Sequence, residues 1–175
     1  LLPAFRREMW FDIRWCKGLL RLMSTMSRSK AMTVVVSTDQ TQASSDGQSG
    51  HDVAVLWDAE PSSEDPEPKS LENWARQILE YQQVGPCEIA IKVVSSAESE
   101  SLNTKYRGKA KPTNILSFPL DAGQVAGPLL LGDLALCSDV VRREAAEQGK
   151  EITAHYAHMV VHGVLHLLGF DHVDS

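Results

Sequence analysis

A chain of 175 residues, 43% hydrophobic and 23% charged, has room for one domain with a sizeable core and the make-up of an ordinary globular protein. Its net charge of −6 excludes a general polyanion binder, because such a charge repels nucleic acid at long range, although a local basic strip can still act at short range. No uncharged run of about 18 residues suggests a membrane span, and Cys16, Cys87 and Cys137 are scattered singly, which offers no thiolate metal set and fits a reducing compartment.

Residues 1–32 hold seven basic and two acidic residues, net +5, whereas 33–175 hold ten basic and twenty-one acidic, net −11. The two parts do not share a composition. With Trp10, Phe11 and Trp15 among Arg6, Arg7, Arg14 and Arg21, the leader reads as an organellar transit peptide or an amphipathic surface helix, and it lacks the apolar core of a secretory signal. It is expected to be dispensable, ahead of a start at Met26 or Met32. Residues 37–50 are small and polar, as in a flexible linker. Residues 1–50 are therefore expected to lie outside the packed domain, which occupies 51–175.

His51–Trp57 reads as a strand through Val53, Ala54, Val55 and Leu56. An acidic, proline-broken loop follows. Ser70 is expected to cap a helix whose Leu71, Trp74, Ala75, Ile78 and Leu79 repeat at helical spacing, with Trp74 in the core. Cys87–Val94 alternates at period two and is a second strand. Ser95 and Ser96 begin a short acidic helix towards Tyr106, and Gly108 ends it. Pro112–Pro119 is a third strand. Leu129–Leu136 is a fourth, in which Gly132 marks a bulge or a close backbone approach. Ser138 is expected to cap a helix over Asp139–Gln148, ended by Gly149. The order predicts an α+β fold, a single domain in which helices pack on a mixed four-stranded sheet.

The chain closes on His158-Met-Val-Val-His162-Gly-Val-Leu-His166-Leu-Leu-Gly169-Phe170-Asp171-His172. Ile152–Leu168 is apolar or histidine without proline, the pattern of a helix buried on most of its circumference. His162 and His166, four apart, share one face. Gly169 offers a left-handed end, after which the chain can return His172 towards the other two. Three neutral imidazoles suit a catalytic zinc because they leave the fourth tetrahedral position open. The reading places one Zn2+ at the end of the C-terminal helix, on His162, His166 and His172. His158 shares the face, but the rise from His158 to His166 is roughly 12 Å, too far for three successive turns to converge on one ion, so His158 is expected to support the site or pack. His51 and His155 are expected to be hydrogen-bonded core residues.

Two further features carry chemistry. In Lys105-Tyr106-Arg107-Gly108-Lys109-Ala110-Lys111 a cation falls on every second residue, and an extended segment would place all four on one side, suited to a phosphate. Asp171 can orient a ligand imidazole as a neighbouring carboxylate, or serve the turn.

Leu102-Asn103-x-x-Tyr106-Arg107-Gly108-Lys109, Pro112-Thr-Asn-Ile-Leu-Ser-Phe-Pro119 and the segment from His162 to His172 together resemble the YbeY endoribonuclease family, the rRNA maturation factors. The resemblance covers about Val53 to His172. It implies a zinc-dependent, single-strand-specific endoribonuclease of the bacterial cytoplasm, acting in small-subunit rRNA 3′-end maturation and ribosome quality control. Its implied partners are single-stranded RNA or rRNA and the ribosomal small subunit with its assembly factors, without a membrane. The compartment would be organellar if residues 1–32 are a transit peptide. The family's metal histidines map onto His162, His166 and His172, and its functional arginine onto Arg107. The leader has no counterpart expected in a bacterial member, and members usually continue into a further helix beyond the position of His172.

Two other functions compete. A metzincin-like zinc peptidase would share the histidine spacing but needs Glu directly after the first histidine as general base, where this chain has Gly163. A non-catalytic ribosome assembly factor would use the metal only to lock the last helix.

Overall fold

The computed structural model describes residues 50–120 and 128–170. The leader and most of the linker, like Asp171 and His172, lie outside the described residues. Within them the order is β1 (Asp52–Trp57), α1 (Pro68–Tyr81), β2 (Cys87–Val94), α2 (Ser96–Arg107), β3 (Ile115–Pro119), β4 (Leu129–Cys137), α3 (Ser138–Glu147) and α4 (Ile152–Leu167). The strands form one sheet in the order β1-β2-β4-β3. β1, β2 and β4 are parallel, and β3 runs antiparallel to β4. The expected α+β arrangement of a mixed four-stranded sheet with helices is what the chain adopts.

Alternation along the strands assigns the two faces. Val53, Ile89, Ile91, Val93, Leu134, Leu136 and Ile115 are buried and, by register, share the face on which α1 and α4 lie. On the opposite face Val94, Leu116, Ala135 and Cys137 cluster with Val140, and Leu102 and Phe118 pack against them. Thus α2 closes one end of the second face. β2 is buried on both sides at its C-terminal end, which is why its alternation lapses into Val93-Val94.

Several boundaries differ from the sequence expectation. Ser70 is not the cap of α1: the helix starts at Pro68, with Glu67 as N-cap, because proline's fixed φ and missing N–H suit the first turn. Ser138 is likewise the first residue of α3 rather than its cap, and its hydroxyl is buried without a partner. Trp74 is only partly buried. β3 begins at Ile115, not Pro112. By contrast Ser95 caps α2, accepting from the Glu98 N–H, and Gly108 ends it in the left-handed region at φ 67°.

Gly132 sits where the β2–β4 register shifts. Its φ is +132°, and a Cβ there would meet the Phe118 carbonyl oxygen at 2.1 Å, so the close approach inferred from sequence is real and requires glycine.

Candidate metal centre and basic segment

The last helix is buried on nearly every side, from His155 to Leu167. His162 and His166 are the half-buried exceptions near its C-terminal end. Their Nε2 atoms stand 3.0 Å apart, with ring centroids 4.4 Å apart and planes at 78°. Beyond them the helix ends as expected. Gly169 has φ +83°, its N–H donates to the His166 carbonyl, and the Phe170 N–H donates to the Leu165 carbonyl, the paired bonds of a Schellman turn. That turn closes the described helix at Phe170.

The pair tests whether a zinc ion fits. Two nitrogens at 2.0–2.1 Å from a tetrahedral ion stand about 3.3–3.4 Å apart, within a few tenths of the observed separation. Both donors are imidazoles on one rigid helix and are partly reachable by solvent. They fit two corners of a metal site. Among the described residues no group of three or more His, Cys, Asp or Glu gathers for a metal, and His172, the third expected ligand, is outside that set.

His158 stacks in the same row, with ring centroids 6.3 Å from both His155 and His162. Burial, aided by Lys150 and His155, pushes its pKa below the ordinary value, so it is a neutral ring stacked in the row. His155 is buried and bonds through Nε2 to Glu144 at 3.0 Å. The same carboxylate accepts from Asn114 Nδ2, while Asn114 Oδ1 accepts from the Ile115 N–H at 2.7 Å. This triad ties α3, α4 and the start of β3 together. Nothing in the spacing of Asn114, Glu144 and His155 announced it. His51 is also a core residue, with Nδ1 3.2 Å from Cys87 Sγ.

Gly163 leaves little room for the glutamate that a peptidase would need at this position. A Cβ at this position would meet Ile115 Cδ1 at 2.6 Å and Leu134 Cδ2 at 2.9 Å. The residue after the first histidine therefore faces the sheet, and a carboxylate placed there would be buried among apolar side chains. Ser117 Oγ donates to the Gly163 carbonyl at 3.2 Å, which holds β3 against the helix at this level.

Arg107 is the last residue of α2 and is exposed. The basic segment is not extended, as the alternation suggested. Lys105 and Arg107 lie in the final helical turn, where a spacing of two points side chains in different directions, and the chain then turns at Gly108. It is nonetheless pinned: buried Asn103 donates through Nδ2 to the Lys111 carbonyl at 2.8 Å, and the Lys109 N–H donates to the Asn103 carbonyl. Tyr106 meets Phe118 of β3 on the sheet face opposite Ser117 and Gly163. Tyr106 and Gly163 thus meet neighbouring residues of edge strand β3, Phe118 and Ser117.

Comparison with known proteins gives these features a family. A family model described as endoribonuclease YbeY matches residues 58–175. The chain belongs to the YbeY family of endoribonucleases. An Endoribonuclease YbeY from Alteromonas mediterranea is 52% identical over 110 residues, 63% of this chain and 70% of that protein. A solution structure of a Thermotoga maritima protein aligns at 29% identity with a TM-score of 0.46, over 69% of this chain and 74% of that one. Family membership supports RNA hydrolysis as the activity. No described helix is long and apolar enough to cross a membrane.

Proposed function

We propose that this YbeY-family chain is a zinc-dependent, single-strand-specific endoribonuclease that acts in small-subunit rRNA 3′-end maturation and ribosome quality control. It works in the cytoplasm with the small subunit and its assembly factors, and residues 51–175 form the active domain behind a dispensable leader. The observation that carries the metal reading is the 3.0 Å approach of the His162 and His166 Nε2 atoms on one helix.

His162, His166 and His172 would hold the ion. When bound, zinc polarises a phosphoryl oxygen and makes water a nucleophile at neutral pH. The chain's own residues do the rest. The rigid helix fixes two imidazoles before metal arrives, so little ordering is lost on binding. Arg107 offers an always-charged guanidinium that grips a phosphate in a bidentate fork and offsets the charge developing on phosphorus.

The test is the metal content of purified protein, together with cleavage of matched single- and double-stranded RNA by wild type and His166→Ala. Wild type is expected to carry one zinc and cleave the single strand. Turnover that survives in the metal-free variant would refute the zinc mechanism.

A further inference from the structure

Lys69, Lys92, Arg142 and Arg143 each reach a carboxylate. Lys105, Arg107, Lys109 and Lys111 are all exposed, and among the described residues none has a carboxylate in ion-pair range. In an acidic chain this leaves four cations in one pinned segment free to meet an external anion. Among them stands Tyr106, 56% exposed. Its ring meets Phe118 at a centroid distance of 5.0 Å and an angle of 68°, and the Lys105 ammonium lies over one face, 5.0 Å from the centroid, on an exposed, flexible side chain that an incoming base can displace. Phe118 in turn packs on the buried cluster around Leu116 and Val140. The tyrosine is therefore a large ring held from below by the core, mostly uncovered, and fixed in a short helical turn. Had it served only to cover Phe118, it would be expected to bury most of its area.

We infer that Tyr106 is a stacking platform for a nucleobase of the bound RNA, with Lys105 and Arg107 engaging the phosphates on either side of that base. The inference rests on the ribonuclease reading and adds a binding subsite to it. An aromatic face serves any base, because every base has a π-face, so the platform would grip a single strand without reading its sequence. In a duplex the bases are already stacked on one another and cannot reach the ring, which makes Tyr106 a source of the single-strand preference.

The full zinc-loaded chain is titrated with a fluorescent single-stranded 2′-O-methyl oligonucleotide, and with a strand of equal length and charge that lacks bases. Tyr106→Leu keeps an apolar contact with Phe118 but no π-face. It is expected to bind the base-bearing strand about ten- to a hundredfold more weakly and the abasic strand as wild type does, whereas Tyr106→Phe and Tyr106→Trp keep full affinity. Ring-proton shifts of Tyr106 in the wild type on adding a dinucleotide give a second readout that needs no variant. Equal loss on both strands, wild-type affinity in Tyr106→Leu, or unmoved ring protons would each overturn the platform while leaving RNA cleavage intact. A wild type that neither binds nor cuts single strands would overturn the ribonuclease reading as well.

Discussion

Gly163 lies so close to Ile115 that a methyl group on its Cα would stand 2.6 Å from Ile115 Cδ1. The first prediction follows from this contact. Gly163→Ala gains about 1 kcal/mol of helix propensity but overpacks a filled site, at about 1–3 kcal/mol, so its net loss should stay below about 2 kcal/mol. Gly163→Glu buries a carboxylate without a partner and should fail to fold rather than gain peptidase activity. Urea melts and a casein assay check both. A folded, proteolytic Glu variant would reinstate the peptidase reading.

Zinc affinity should sort the histidines. His158 stacks 6.3 Å from its neighbours without the close nitrogen approach of the 162–166 pair, so His158→Ala should keep zinc. His166→Ala and His172→Ala should lose it severely. A competitive zinc titration that reversed His158 and His172 would mean the third ligand is misassigned.

Arg107 should matter to turnover and not to folding. It is exposed, with no apolar periodicity around it. Arg107→Ala should lower kcat by about 10²–10³, and Arg107→Lys should be nearly as damaging because lysine lacks the bidentate fork. Both should keep their zinc and their melting temperature. Wild-type rates on single-stranded RNA in the alanine variant would remove Arg107 from the site.

Asp65 should be the costliest loop residue to lose. Its carboxylate is 2% exposed and pairs with Arg142 at 2.6 Å, and it accepts the Tyr156 hydroxyl at 2.7 Å. Asp65→Ala leaves the buried Tyr156 hydroxyl without its acceptor and leaves Arg142 with Asp139 as its remaining carboxylate partner. The expected loss is about 1–3 kcal/mol, read by denaturant unfolding; a loss under about 1 kcal/mol would show the network to be dispensable.

Burial pushes the Cys87 thiol from an ordinary 9.0 up to about 11. Between those values the unfolded chain has given up a proton that the native chain keeps, so stability falls as pH rises through that window. In the native protein at pH 8, Cys87 should resist iodoacetamide, and it should react once the chain is unfolded. Rapid native labelling, located by mass spectrometry, would contradict the buried thiol.

The order of the elements was legible in the sequence because period-two strands, the 3.6-residue stripe of α1 and the glycine stops at Gly108 and Gly169 are local signals. The same locality made the last helix and its His162–His166 pair readable: a spacing of four on one helix needs no tertiary information. Motif likeness then named the family that the comparison showed. Local signals also misled. Ser70 and Ser138 are good caps by residue type, but Pro68 and the run of β4 into α3 set the actual starts, and the alternating cations fell on a helical turn instead of a strand. What only the tertiary structure decided were the meetings of distant residues. Asn114 with Glu144 and His155, Asp65 with Arg142 and Tyr156, Gly163 against Ile115 and Leu134, and Tyr106 on Phe118 all depend on which faces the sheet brings together. No periodicity along the chain encodes which element will lie across from a given side chain; that is set by strand order and helix packing, which emerge only when the whole core closes.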